Sequence, residues 1–289
     1  MKRLLIFSCF ALLFASFAGA AELTARLDGK KLLIEVDGKL FTAYCFDAGQ
    51  KYPYFYPVNG PLTGETVTTE TSEPYPHHHS LFFGCDRVNG GNYWQDKNET
   101  GQIFSRGPEI IQAKGDKVVF RDRGDWKRPG AEQPIEDERL VTVTVPAPDR
   151  RVIDFEITLK PLMDIKIEKT NHSLFSARMV PALSAKEGGT LVNANGDKAE
   201  AGTFGKAAAW CDYYGTRGGK TQAARRFGDQ LHARGHEAHR VDELCVGGRE
   251  DVVHVAPDDR EGQLAEELGL RAVGDRLRRV DAHDGAAPE

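Results

Sequence analysis

The sequence predicts an all-β fold, an antiparallel β-sandwich, and three observations carry that expectation. Apolar and β-branched residues alternate with polar ones at period two through most of the first two thirds of the chain. Turn signals built from Gly, Pro and Asp cut the alternation into many short segments. No stretch of helical period occurs before the C-terminal tail, so no helical layer is on offer to cover a sheet.

Taken in order, residues 1–20 begin with Lys2 and Arg3, run apolar from Leu4 to Phe17 and end on Ala18-Gly19-Ala20. Those are the three parts of a secretory signal peptide, with cleavage expected to leave Ala21 or Glu22 first. The apolar run is short for a bilayer and polar sequence follows at once, so a retained anchor is not expected. Cys9 lacks the small residues that precede a lipoprotein cysteine, and lipidation is not supported. The expected location is periplasmic or secreted, from a Gram-negative source, with no membrane contact after cleavage.

The β domain is expected over 21–227. Its strands are read at Leu23 to Leu27, Lys31 to Val36, Leu40 to Phe46, Lys117 to Arg121, Leu140 to Val145, Val152 to Leu159 and Ile165 to Thr170. Asp28-Gly29 and Asp37-Gly38 join the first three as tight hairpins, an antiparallel meander. From Ala48 to Phe104 the pattern is irregular, and a stretch of that length in a compact domain is usually functional. Cys45, Cys85, Cys211 and Cys245 follow the signal segment. An exported chain permits disulfides, and Cys85 and Cys211 are the pair to test first. A formal net charge of −5 without a basic patch argues against nucleic acid as a partner.

Chemistry concentrates between Glu73 and Trp94, where His77, His78 and His79 stand near Asp86, Asn89, Tyr93 and Trp94. Imidazoles near neutrality offer proton transfer, metal ligation or hydrogen bonds. Aromatic rings beside amides and a carboxylate suit a sugar, stacking on its apolar face while the polar groups take its hydroxyls. In an extended segment His77 and His79 share one face and His78 takes the other, so at most two converge. Two imidazoles with Asp86 or His172 permit a divalent metal, but no recognised ligand motif is present and no metal or other cofactor is assigned.

Further along, Trp210-Cys211-Asp212-Tyr213-Tyr214-Gly215 adds candidate contacts. Trp94, Tyr93 and Tyr213 are expected either as stacking platforms or as half-buried core rings. Asp86 and Asp212 are candidates for binding hydroxyls or for pairing with Arg87 and Arg178. Asn89-Gly90-Gly91 reads as a turn, with Asn89 kept as a contact candidate. Asp125-Trp126 reads as a solvated loop or a cleft rim.

Two resemblances rest on these residues. The His77-His78-His79-Ser80-Leu81-Phe82-Phe83-Gly84 and Val88-Asn89-Gly90-Gly91-Asn92-Tyr93-Trp94 motifs are accompanied by Tyr56-Pro57-Val58-Asn59-Gly60-Pro61 and the Trp210 to Gly215 segment. Together they resemble the secreted bacterial family labelled methane oxygenase PmoA, from about Ala21 to Gln222. The enzyme name is set aside, because a membrane methane oxygenase subunit resembles a bundle of long apolar helices and this chain has none. In addition, Thr170-Asn171-His172-Ser173-Leu174-Phe175 is similar to the Thr-Asn-His-Ser/Thr-Tyr-Phe segment of aldose 1-epimerases, with Leu174 in place of the aromatic residue. That likeness implies a supersandwich of the galactose mutarotase type, His172 as the acid that protonates a sugar ring oxygen, and His77 to His79 as sugar contacts. The mutarotase base is a glutamate near the C-terminus, in a region where this chain is anomalous.

The expected function is therefore an exported protein that binds or processes a small sugar or glycoside, as an epimerase, hydrolase or lyase if it is an enzyme. His78, His79 and His172 are its candidate acid/base groups. His77, Asp86, Asn89, Tyr93, Trp94, Arg178, Asp212 and Tyr213 are its candidate contacts. The alternatives are a non-catalytic carbohydrate-binding protein and a periplasmic metal-binding protein.

The tail, 228–289, contains no Phe, Tyr, Trp, Ile, Met, Lys, Ser, Thr or Asn. One reading is a helical appendage from Glu261 to Arg279 with Leu264, Leu268, Ala272 and Leu277 on one face. The favoured reading is a reading-frame shift near Thr221 to Arg226, which would remove the sandwich's last strands and leave an edge unpaired.

Overall fold

The computed structural model describes residues 21–71, 75, 77–95, 97–168, 172, 174–228, 232–234, 237–247, 270–273 and 276–279, so the signal-peptide reading of 1–20 lies outside the described residues. The chain opens with the expected meander of β1 (Leu23–Asp28), β2 (Lys31–Val36) and β3 (Lys39–Cys45). Asp28 pairs with Lys31, and Val36 with Lys39, which leaves two-residue connections. In the second, Asp37 and Gly38 both take positive φ, 50° and 71°, the pair of left-handed residues a type I′ turn requires.

The irregular region contributes β4 (Tyr54–Val58), β5 (Leu81–Phe83) and β6 (Gln102–Ser105). After β7 (Glu109–Gln112) and β8 (Lys114–Gly115) come three long antiparallel strands, β9 (Lys117–Lys127), β10 (Ile135–Ala147) and β11 (Arg150–Pro161). Short β12 (Phe175–Ala177) and β13 (Thr190–Asn193) precede a five-residue helix, α1 (Ala199–Thr203), and then β14 (Trp210–Arg217), β15 (Lys220–Gly228), β16 (His232–Arg234) and β17 (Glu237–Gly247). A seven-stranded sheet runs β12-β5-β4-β3-β2-β1-β8 and a ten-stranded sheet runs β13-β14-β15-β17-β11-β10-β9-β6, with β16 on β17 and β7 on β9. All the pairings are antiparallel, and the fold is an all-β sandwich.

Alternation sets which residues fill the space between the sheets. Val118, Phe120, Asp122, Gly124 and Trp126 point inward from β9, and Ile153, Phe155, Ile157 and Leu159 from β11. Opposing rings meet across the gap: Tyr44 lies 5.1 Å from Phe120, and Phe155 stacks 6.1 Å from Phe83 and 5.0 Å from Phe175.

Charged residues share that interior. Arg139, 1 % exposed, donates from Nε and Nη2 to the two oxygens of Asp137 at 2.9 and 3.0 Å, and from Nη1 to Tyr44 Oη at 3.3 Å. Trp126 Nε1 donates to Asp137 at 2.7 Å, while Tyr44 Oη and Ser105 Oγ each donate to Asp122 at 2.8 Å. The network links β3 of one sheet to β9 and β10 of the other with every carboxylate oxygen engaged, the condition under which buried charge is tolerated. Gly124 is required beneath it, since a Cβ there would stand 2.6 Å from Asp137 Oδ2. Trp126 is thus a core residue, not a cleft rim.

Three expectations are corrected. Ile165 to Thr170 does not form a strand among the described residues. Its backbone is satisfied by the loop at 87–89 instead: Lys166 N donates to Asn89 Oδ1, Glu168 N donates to Arg87 O, and Ile167 makes only an isolated bridge to Val88. Position 227 does not bound the sheet, because β17 pairs with β11 from Leu159↔Ala238 to Arg150↔Gly247 and with β15 on its other side. Within the segment read as a helix, β18 (Leu270–Val273) and β19 (Arg276–Arg279) pair antiparallel; 261–269 and 274–275 lie outside the described residues.

Candidate functional site

The His77 to His79 segment, a turn closed by His78 N donating to Tyr75 O, separates two hollows. His78 lines a cavity of about 330 Å³. His77 and His79 line a second hollow, of about 630 Å³, with Lys51 and Lys97. The three rings therefore do not converge on one ligand, and among the described residues no group of three His, Cys, Asp or Glu is arranged to hold a metal ion.

The smaller cavity lies between the sheets. Phe82 and Phe175 reach it from β5 and β12, Tyr213 from β14, Arg226 from β15 and Leu244 from β17, with Trp94 and Arg178 from the adjoining loops. Its wall thus includes a residue of the compositionally unusual tail.

Trp94 is the centre of a ring cluster. His172 stacks on it with centroids 4.1 Å apart and planes 14° from parallel, while His78 and Phe82 meet it at steep angles at 5.3 and 5.4 Å. One face of the indole is taken by His172 and the residue is buried, the second of the two expectations for Trp94. Its position comes from the Asn92 turn, in which Asn92 Oδ1 accepts from the backbone N–H groups of Trp94 and Gln95.

Asp86, only 2 % exposed, accepts a hydrogen bond from His172 Nδ1 at 2.8 Å. A carboxylate accepts, so Nδ1 carries the proton of this contact. Asp86 fixes the tautomer and Trp94 fixes the plane of His172, the support a proton-transfer group needs. The two residues are 86 positions apart.

Burial above all, then the neighbouring His77 and Arg178, lowers the His78 pKa to about 4, and the ring is neutral at pH 7. His79, stacked 4.4 Å from Tyr54, is also lowered by burial, against the pull of a hydrogen bond at the Glu70 backbone. Its Nδ1 finds no hydrogen-bond partner among the described residues. His77 contributes its carbonyl, which accepts from the Tyr52 hydroxyl.

Several expected contacts lie elsewhere. Asp212 and Tyr213 are consecutive on β14 and point to opposite faces, so only Tyr213 reaches the cavity. Asp212 forms a buried ion pair of 2.9 Å with Arg225, its register partner on β15, and Arg225 lies over Trp210. The expected partners Arg87 and Arg178 play no part in it. Tyr93 is 1 % exposed and packs on Trp126 at 5.0 Å, away from Trp94. Asn89, at φ 48°, is a turn residue whose amide donates to Asp164 O and accepts from Lys166 N. Cys45, Cys85 and Cys211 are all free thiols, so the pair to test first, Cys85 and Cys211, is not joined. Arg226 was missed by the sequence reading. Its signal is period two, because the strand that carries Ala224 inward carries Arg226 inward as well.

A family model matches residues 31–261 and carries the description of a family of unknown function, DUF6807. The chain belongs to that family. The matched range continues past both Gln222, where the resemblance read from sequence stops, and the composition change at Gly228. No curated protein matches the chain. Among the described residues no helix is long and apolar enough to cross a membrane.

Proposed function

We propose that this DUF6807 member is an exported, PmoA-labelled protein with mutarotase-like kinship that binds a small sugar or glycoside in the cavity between β5, β12, β14 and β15. The observation that carries the reading is the Asp86–His172–Trp94 assembly: a carboxylate-oriented imidazole stacked on an indole whose edge lines a 330 Å³ cavity. Such a volume is at the lower end for small-ligand sites, and its apolar walls with few polar groups suit one sugar unit better than an open chain. His172 is the acid/base candidate, consistent with the aldose 1-epimerase likeness around it. His78, already neutral, serves as a hydrogen-bonding group.

A non-catalytic binder is the second reading, favoured by one observation. No carboxylate is among the described residues lining the cavity, so the wall holds no obvious partner for a second proton transfer.

The test is calorimetric titration of the full chain with a panel of monosaccharides and methyl glycosides, paired with anomer exchange followed by NMR. If His172 transfers protons, Asp86→Asn lowers turnover about ten- to hundred-fold with affinity nearly constant, since a positioned acid is worth roughly 10²–10⁴ and loses part of that with its tautomer. Saccharide binding without turnover selects the binder. Absence of binding across the panel sinks both readings.

A further inference from the structure

Resting on that saccharide reading, we infer that the ligand is a glycoside of at least two sugar units, and that its second unit is received in the hollow lined by His79, beyond the histidine turn. The two spaces adjoin: His78 lines the cavity, His77 lines the hollow, and their ring centroids are 4.6 Å apart. A cavity of about 330 Å³ suits one sugar unit, so a further unit lies outside it. Tyr75 marks the step between them. Its ring stacks on His78 at 4.9 Å, with planes 24° from parallel, and meets His77 edge-on at 6.1 Å. The residue is 48 % exposed, so the face turned away from His78 is open to the apolar face of a sugar.

The hollow, of about 630 Å³, has a wall suited to that unit. His79 is 8 % exposed, and its Nδ1 has no hydrogen-bond partner among the described residues. Burial holds the ring neutral at pH 7 while its other nitrogen donates at the Glu70 backbone, so Nδ1 is an acceptor that lacks a donor. A buried acceptor left so costs free energy, and the O–H of a sugar hydroxyl relieves that cost. The ring is held in place by Tyr54, stacked at 4.4 Å, and by Tyr52, edge-on at 6.0 Å. Opposite parts of the wall are tied together as well. Lys51 Nζ donates to Lys97 O at 2.8 Å and to Thr100 Oγ1 at 3.1 Å, and Asn98 Nδ2 donates to Gly49 O at 3.1 Å. Those bonds join 49–51 to 97–100, so the hollow is formed in advance and little ordering is left to the ligand.

The experiment is calorimetric titration of the full chain with glucose and galactose against maltose, cellobiose, lactose and melibiose, with the His79 ring nitrogens followed by NMR. The expected result is that at least one disaccharide binds about tenfold or more tightly than its monosaccharides, from one stacked ring and one newly satisfied acceptor. That disaccharide should shift the His79 Nδ1 resonance, and glucose or galactose should not. The ratio of disaccharide to monosaccharide affinity should fall toward one in Tyr75→Ala, an exposed position where folding is not at stake. Disaccharides no tighter than monosaccharides overturn the two-unit inference and leave the saccharide reading standing. A tighter disaccharide that leaves the His79 signal unmoved overturns the assignment to this hollow, and an advantage that survives Tyr75→Ala overturns the role of Tyr75. Binding of no member overturns both readings.

Discussion

Replacing Arg139 with Met tests whether the buried network holds the two sheets together. Methionine keeps most of the stem's volume, so the change removes the guanidinium with little cavity. Asp137 then loses hydrogen bonds to both oxygens, at 2.9 and 3.0 Å, and keeps Trp126 Nε1 at 2.7 Å, while Tyr44 Oη loses its 3.3 Å donor. Breaking a buried pair from one side strands a charge and costs about 3–5 kcal/mol. With a urea slope of about 3 kcal/mol/M, the unfolding midpoint of Arg139→Met should fall by about 1–1.7 M. Adding Asp137→Asn removes the stranded charge, so the double variant should be less destabilised than the sum of the two single ones, with coupling of about 1–3 kcal/mol. A midpoint shift below about 0.3 M for Arg139→Met, or strict additivity, would refute the view that this pair ties the sheets.

Two further outcomes follow from the geometry. His78 has a folded-state pKa of about 4 against an ordinary 6.5, so the unfolded chain binds more protons between those values. The resulting stability is fully present above pH 6.5 and is lost as pH falls toward 4, and His79, shifted the same way, adds to the loss. Urea titrations at stepped pH should show His78→Gln flattening that slope by a fraction of a proton. At Gly215 an added Cβ would lie 1.9 Å from the Ala182 carbonyl oxygen, backbone that cannot swing away. Gly215→Ala should therefore cost at least the ~1–3 kcal/mol of an overpacked core, read as a lower thermal midpoint.

How much of this was legible in the sequence depends on whether a feature is local. The meander, its Asp37-Gly38 turn and the long strands β9 to β11 follow from period two and turn chemistry, and the structure places them where those signals lie. The split of His77 and His79 from His78 arises in a turn, not in a strand, so period two does not account for it. Applied to Asp212-Tyr213, period two would have separated those two residues in advance. Applied to β9 and β10, it would have placed Asp122, Asp137 and Arg139 in the interior phase. The Asp86–His172 contact is different in kind. It joins two loops through the packing of both on Trp94, and no local pattern encodes that approach.

The site's position follows from unequal strand lengths. β5 and β12, at the end of the smaller sheet, are three residues each, whereas the facing β14 and β15 are eight and nine. Short strands cannot cover long ones, so the inward residues Tyr213, Ala224 and Arg226 extend beyond the strands opposite them, and loops carrying His78, Trp94 and Arg178 close the gap. At the β9–β10 end the seven-residue β3 stands opposite, and the interior charges are fully matched. The same sandwich thus holds two polar interiors. One is closed by its own hydrogen bonds and stabilises the fold. The other is left open by geometry, a cavity of about 330 Å³ with His78, Trp94, Arg178 and Arg226 on its wall.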